Sequence, residues 1–394
     1  MSGHRPEVAD VFRQHGQEFL QRWGHTLNWQ QIKALRDIGA CQTWKLGAHV
    51  RQCDSCSQQV TAFNSCRNRH CPRCQSTARN RWLDGTAKEL LPVPYSHVVF
   101  TLPKQLAPIA LQNPALVYGL LFRAVSETLL TIAADPKRLG ARIGFLAVLH
   151  TWNQQLMHHP HLHCLVPAGG ISSDGARWIA SRPNYFLNVD ALGAMFRGKF
   201  LAFLRDAFAK GRLRFFGSLK SLTNRVAFDR FTLELKALKW VVYAKPPFAG
   251  PARAVKYLAR YTHRVAIANG RIVSFADGRV TFRWRDSAHG NKQKVMTLDA
   301  VEFIRRFLLH VLPCGFVKIR HYGFLANSVR RAGIALCRSI LPPCEPASPE
   351  LSPEQHRAVE RKCPVCQNGR MIVIAVIGAD QFLWPMTVEE VDSS

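Results

Sequence analysis

Between residues 41 and 74 the chain sets cysteine and histidine at spacings that dictate a metal-built fold. They run Cys53-x2-Cys56, then Cys66-x3-His70-Cys71-x2-Cys74, with Cys41 and His49 upstream. Each C-x2-C knuckle offers two thiolates on a tight turn, and two knuckles complete a tetrahedron. The two knuckles lie 14 residues apart, so Cys53, Cys56, Cys71 and Cys74 are assigned to one structural Zn2+. Cys41, His49, Cys66 and His70 make a second four-ligand set of irregular spacing, for which a second zinc and metal-free residues are equally open. A closed Cys-rich site leaves no coordination position for chemistry. Far downstream, Cys363-Pro-Val-Cys366 is half a site. It either recruits Cys337 and Cys344 or remains an unmetallated pair.

The charge balance says what such a module touches. Lys and Arg number 53 against 26 Asp and Glu, a formal net charge of +27, whose commonest use is to hold polyanionic nucleic acid. Arg67, Arg69 and Arg73, with Arg79 and Arg81, surround the cysteines and suit phosphate contact. The opening MSGHRPEVADVFRQ has no apolar signal core, and no run is expected to reach the ~18 apolar residues of a membrane span. The longest candidate, MIVIAVIGA from Met371, is strand-sized. The expectation is a cytoplasmic, nucleoid-associated protein with no membrane partner.

Polar-faced helices are predicted over residues 6 to about 40, then the Cys/His module, then a basic helix ending at Pro92 and Pro94. Strands are predicted at YSHVVFTLP, IGFLAVLHTW (143–152) and HLHCLVPA (161–168), with NQQLMHHP as the loop between the last two. Helices are predicted over 105–135, over ALGAMFRGKFLAFLRDAFAKG, and over GPARAVKYLARYTHR. VAIANGRIVSFADGRVTFRWRD reads as three short strands joined at Asn269-Gly270 and Asp277-Gly278. Strands and helices in this order predict an α+β fold with a mainly antiparallel sheet. The expected units are a helical and zinc-binding DNA-contact region (1–92), a main domain (93–340), and a Pro-rich linker with a Cys-pair tail (341–394).

On a strand, His161 and His163 point to one face and can share one ion, while Leu162 points away into packing. His158 and His159 are assigned to the preceding loop. An isolated H-x-H is more often an ordinary polar pair. The second element is Tyr257-Leu-Ala-Arg-Tyr261, whose tyrosines four apart share one helical face, off the apolar stripe and flanked by Lys256, Arg260 and Arg264. Such a face is a surface, a stacking platform for bases, or a pair of nucleophiles. A phenol attacks a phosphodiester only when a metal polarises the phosphate, and the His pair would hold that metal.

HPHLHCLVPAGG, YLARYTHRVAIAN and NSCRNRHCPRCQ together resemble the two-tyrosine HUH transposases of rolling-circle insertion sequences, the IS91 type, over about residues 15 to 335. The resemblance implies an HUH endonuclease core, a ferredoxin- or RRM-like antiparallel sheet flanked by helices. It implies a transposase that nicks one DNA strand, joins a 5′ phosphate through tyrosine, and frees a 3′ hydroxyl. Carried onto this chain, His161 and His163 would bind Mg2+ or Mn2+, and Tyr257 and Tyr261 would be the nucleophiles. Gln154 is the expected third ligand, with Gln155 and His159 as alternatives. The implied partner is DNA, especially the single-stranded ends of the element.

Gly193 to Lys199, GAMFRGK, copies most of a P-loop, but Phe200 stands where a hydroxyl is needed and the setting is helical. No nucleotide cofactor is therefore expected, and strand separation falls to a host helicase, replication proteins or supercoiling. Arg320, His321 and Tyr322 read as a DNA-contact cluster. Two other readings remain: a plasmid replication initiator or relaxase, and a non-catalytic zinc-dependent DNA-binding regulator.

Overall fold

The computed structural model describes residues 5–248, 250, 253–254, 265–286, 289–342 and 362–379. The chain opens with helices α1 (Val8–Trp23) and α2 (Trp29–Ala40), the second started by a capping box between Asn28 and Gln31. A hairpin of β1 (Ala48–Cys53) and β2 (Gln59–Phe63) follows, then α3 (Pro72–Ala87) with proline in its first turn. Next come β3 (Tyr95–Thr101), α4 (Ala107–Gln112) and α5 (Pro114–Ala134). After them run β4 (Gly144–Trp152) and β5 (His158–Pro167), a small pair β6 (Gly169–Ile171) and β7 (Trp178–Ala180), and α6 (Val189–Ala209). α7 (Arg225–Ala237) and β8 (Val242–Ala244) complete the first half of the main body. The second half holds β9 (Ile272–Ala276), β10 (Arg279–Asp286), β11 (Lys292–Asp299), α8 (Ala300–Leu308), β12 (Ile319–Gly323) and α9 (Arg330–Ile340). The last described element is β13 (Met371–Ile377).

The central sheet is antiparallel, in the order β12-β4-β5-β3-β8. Its two faces are sorted by the period-two alternation of its strands. Val98 and Phe100, Phe145, Ala147 and Leu149, and Leu162, Cys164 and Val166 all enter one core with α5 and α6. Tyr95, Leu146, Val148 and Leu165 face the other way, into a smaller cluster with Ile334 and Cys337 of α9 and with Ala254. The fold is α+β with antiparallel sheets, as expected and as an HUH core requires. Where β12 ends, Gly323 has φ +60°, and a Cβ there would lie 1.8 Å from the Ile143 carbonyl oxygen, so only glycine fits.

A separate core joins sequence ends. α1 and α2 pack with β9, β10 and α8, where the Phe12 and Phe307 rings meet edge to face at 5.1 Å. β13 lies beside β1, in the order β13-β1-β2.

Four expectations change. β5 begins at His158, so His158 and His159 are strand residues and not loop; the tight turn over 153–157, held by the Asn153 side chain, is shorter than the sequence suggests. Asn269-Gly270 forms a short 3-10 turn instead of a hairpin. The hairpin signal at Asp277-Gly278 is real, with φ of +50° and +68° between β9 and β10, and the third strand of that sheet is β11. Finally, α5 is long and apolar enough to cross a membrane by length and composition, with a mean hydropathy of 1.5, which the sequence reading had not identified; most of its apolar residues are packed in the main core. Gly193 to Lys199 lies inside α6.

Candidate active site

β4 and β5 are paired so that His150 faces His161 and Val148 faces His163, through an irregularity between His150 and Trp152. Strand alternation then puts the imidazoles of His150, His161 and His163 on the face away from α5 and α6, where their ligating nitrogens lie within 4.8 Å of one another. The same face is apolar at its other end, under α9. The histidines lie beyond the apolar cluster on that same face.

Hydrogen bonding fixes how the rings present their lone pairs. His161 Nδ1 lies 2.7 Å from the His159 carbonyl oxygen, which can only accept, so Nδ1 carries the proton and Nε2 is bare. Burial pushes the His161 pKa down to about 4, which keeps the ring neutral. Its Nε2 is 3.1 Å from His163 Nε2. The other nitrogen of His163, Nδ1, meets Nε2 of His97 on β3 at 2.8 Å, with the rings stacked at 5.0 Å. His97 is itself buried and pushed down to about 3, by burial first and then by the charge of Lys245. His150 is buried and stacks on Trp152 at 4.6 Å. Three imidazoles whose ligating nitrogens lie close together, with the distal nitrogens of two of them held by protein groups, fit a divalent cation.

The third member differs from the sequence expectation of Gln154. β4 is paired as far as Trp152, so the residue opposite His161 is His150; Gln154 lies beyond the pairing, in the turn, where its carbonyl accepts from Arg271 at 2.6 Å. Gln155 also sits in that turn, its carbonyl accepting from Arg306. His150 and His97 are candidate site residues that the sequence expectations do not include. His150 was legible: folding HTWNQQLMHHPH (150–161) about its centre sets His150 against His161. His97 carried no signal beyond being a histidine in an apolar strand.

Behind the cluster lies a second set of buried imidazoles. His158 Nε2 is 2.8 Å from the Tyr118 hydroxyl, and His310 Nε2 is 3.0 Å from the Leu156 carbonyl. Their rings are stacked at 6.3 Å.

The thiols also group differently from the expected sets. Cys41, Cys66, Cys71 and Cys74 form one cluster, and Cys53, Cys56, Cys363 and Cys366 another. Knuckle 53–56 therefore does not join knuckle 71–74. The reason is that β1 and β2 carry Cys53 and Cys56 to the far end of the hairpin, whereas Cys71 and Cys74 start α3 beside Cys41 at the end of α2. In the first cluster the Sγ atoms are 3.6–3.7 Å apart. A tetrahedron with ~2.3 Å Zn–S bonds has edges of about 3.8 Å. His49 lies in the middle of β1, paired with Val376 and Ala62, away from either cluster. His70 accepts the Leu312 N–H at 3.3 Å and is pushed down to about 3, by burial first and then by Arg69. Cys337 is buried under the sheet, not beside Cys363, and Cys344 lies outside the described residues.

Of the basic residues, Arg67 is exposed, Arg69 is half-buried, and Arg73 forms an ion pair with Glu7. Arg320 and Tyr322 do not form a DNA-facing cluster: the Arg320 guanidinium lies over the Phe122 ring at 4.2 Å, and Tyr322 stacks on Phe145 at 5.1 Å. Tyr257, Tyr261, Lys256, Arg260 and Arg264 lie outside the described residues. The described chain stops at Ala254, in the apolar cluster on the histidine face, and resumes at Val265, which lines a small cavity with Thr151 and Trp152 at the end of β4.

Comparison with known proteins agrees with this division. A family profile described as "Transposase zinc-binding domain" matches residues 11–102, and one described as "Putative transposase" matches residues 144–332. The first stretch holds the Cys41 cluster and His97; the second holds the three histidines. A Sinorhizobium fredii protein described as "Putative transposase y4qJ" is 54% identical over 386 residues, covering 95% of this chain and 96% of that protein. The transposase for insertion sequence element IS801 of Pseudomonas savastanoi pv. phaseolicola is 29% identical over 323 residues, covering 78% of this chain and 75% of that protein.

Proposed function

The chain belongs to the transposases of the IS91 type and so acts on DNA, and from that premise we propose that it nicks and rejoins single DNA strands through a tyrosine-linked 5′ phosphate. The observation that carries this reading is the cluster of three imidazoles on one face of the central sheet, their ligating nitrogens within 4.8 Å of one another. His150, His161 and His163 would hold one divalent cation. Of the two ions the resemblance implies, Mn2+ accepts nitrogen ligands more readily than Mg2+, which prefers oxygen. When bound, the cation would polarise the scissile phosphate and offset its developing charge.

The chain's own groups do the rest. Tyr257 or Tyr261 attacks phosphorus with its phenolic oxygen, forming the tyrosine–phosphate bond. The bond from phosphorus to the 3′ oxygen breaks, the phenol gives up its proton, and the 3′ oxygen leaves as a hydroxyl. Two tyrosines let one DNA end stay attached while the second tyrosine cuts or releases the other. Support comes from the described residues that flank 255–264: Ala254 packs in the apolar cluster on the histidine face, and Val265 lines the cavity at the end of β4. His161 presents Nε2 because Nδ1 donates to the His159 carbonyl; His163 presents Nε2 when its Nδ1–H donates to His97. Lys256, Arg260 and Arg264, with the exposed Arg67, would contact phosphates, and a host helicase or supercoiling would supply the single strand.

The test is to incubate the protein with Mn2+ and single-stranded DNA carrying the element's ends, and to look for a denaturant-resistant adduct. We expect an adduct that disappears in the Tyr257→Phe, Tyr261→Phe double variant and in His163→Ala. An adduct that persists in the double variant removes the nucleophile assignment. No adduct with any strand of the ends favours a non-catalytic zinc-dependent DNA-binding protein.

A further inference from the structure

We propose that Cys53, Cys56, Cys363 and Cys366 bind a second structural Zn2+, which clasps the C-terminal end of the chain to the N-terminal hairpin. Cys363 and Cys366 lie outside both matched stretches, 11–102 and 144–332. Their knuckle repeats the turn of the 53–56 knuckle. The amide of Ser55 donates to Cys53 Sγ at 3.4 Å, and that of Val365 donates to Cys363 Sγ at 3.4 Å. The amide of Ser57 donates to the Cys53 carbonyl at 3.1 Å, and that of Gln367 to the Cys363 carbonyl at 3.0 Å. Each knuckle closes with a left-handed residue after its second cysteine, Ser57 at φ +57° and Gln367 at φ +58°. Both are the tight turns that present two thiolates to one ion.

The facing distances fit a metal and not a disulfide. Cys53 Sγ is 3.7 Å from Cys366 Sγ, and Cys56 Sγ is 3.6 Å from Cys363 Sγ. A disulfide needs about 2.05 Å, whereas a zinc tetrathiolate has edges of about 3.8 Å. The Gly369 amide also donates to Cys366 Sγ at 3.4 Å, a further backbone hydrogen bond to a ligand sulfur. The knuckles are locked together next to the sulfurs: Asp54 accepts the Arg370 amide at 2.8 Å and donates its own amide to the Arg370 carbonyl at 3.1 Å. Gly369 approaches so closely that a Cβ there would lie 2.3 Å from Cys53 Sγ.

Among the described residues of the tail, the strand offers a weaker hold. β13 pairs with β1, yet Ile372, Ile374 and Val376 are 53%, 50% and 66% exposed, so side-chain burial contributes little to holding the strand. Thiolate ligands select zinc among the cations of the cell, with iron the other tetrathiolate ion.

Metal analysis of the full chain should give two zinc ions, falling to one in the Cys363→Ser, Cys366→Ser double variant with the Cys41 cluster left intact. Cobalt substitution should show a thiolate charge-transfer band about half as intense in that variant. An unchanged metal content or band, or iron in place of zinc, would overturn the proposal. Independently, a protease site placed within 343–361 should yield a nicked protein whose tail stays attached in zinc and separates when a chelator removes it. A tail that separates while two zinc ions remain bound, or that stays after all zinc is gone, would equally sink it. These outcomes do not depend on the tyrosine chemistry.

Discussion

The histidine cluster and the thiol clusters are both fit to hold a metal, but they are assembled in opposite ways. His150 and His161 face each other across one hairpin, and the reverse side of that hairpin is packed by Phe145, Ala147, Leu149, Leu162, Cys164 and Val166. The sheet would hold the imidazoles together whether or not an ion is present. Cys53 and Cys366 are 313 residues apart, and the strand that carries the second knuckle has exposed side chains. There the metal is part of the fold. The difference separates a site preorganised on the face of a packed sheet from closed sites that substitute for a core in a region too small to build one.

The largest effect follows from that contrast. Stripping zinc with a strong chelator should abolish hydrogen-exchange protection in 41–74 and 371–377 while leaving β3, β4 and β5 protected, because structural zinc binding is worth ~10 kcal/mol or more of local folding energy. Cys71→Ser should reproduce the loss around the Cys41 cluster. Protection that survives in the hairpin, or that collapses in the central sheet too, would erase the distinction. Acid should act on the opposite region. Burial holds His158 at about 3 and His310 at about 4, against an ordinary value near 6.5 in the unfolded chain. Below pH 6.5 the unfolded state binds the extra protons, so stability is full above that pH and declines as pH falls toward 4. Each ring contributes about 1.4 kcal/mol per pH unit in that window. Denaturant midpoints measured from pH 7 to pH 4.5 check the slope, and the His158→Phe variant should flatten it.

A smaller effect tests preorganisation. His163→Ala should abolish tight Mn2+ binding, read by the loss of free-ion paramagnetic signal in titration, yet shift the melting temperature by no more than about 3 °C. A large loss of stability would mean that the cluster is a structural site like the thiols.

What could be read from the sequence follows the same division. Local patterns gave the α+β class, the H-x-H face of β5, the knuckles and the Asp277-Gly278 hairpin, because each depends on neighbours in sequence and on the period of one element. Which knuckles pair was not local: the spacing between 56 and 71 suggested one site, while the hairpin geometry sends the two knuckles to different partners, one of them at the far end of the chain. The third histidine failed for a subtler reason. Gln154 is the expectation because it follows HTW at the end of the neighbouring strand, but the pairing ends at Trp152 and the irregularity before it sets His150 against His161. A polar residue behind a ligand, such as His97, is set by a third strand whose register no pattern in β4 or β5 reveals.

The finest test of the comparison is that residue. If the sheet preorganises the histidines, part of the ordering must come from His97, whose Nε2 holds His163 Nδ1 at 2.8 Å. A partner of this kind fixes the tautomer that leaves Nε2 free, and losing it typically weakens metal binding 10- to 100-fold, or about 1.4–2.7 kcal/mol. His97→Ala should therefore lower Mn2+ affinity by that factor, with the adduct reaction regained at high Mn2+ concentration. His97→Gln, which can offer a carbonyl oxygen to the same Nδ1–H, should recover part of the affinity. Equal affinity in all three proteins would mean that the strands alone orient His163. An affinity loss in both variants that tracks their melting temperatures would assign His97 to packing, and the histidine cluster would then owe its order to the core beneath it.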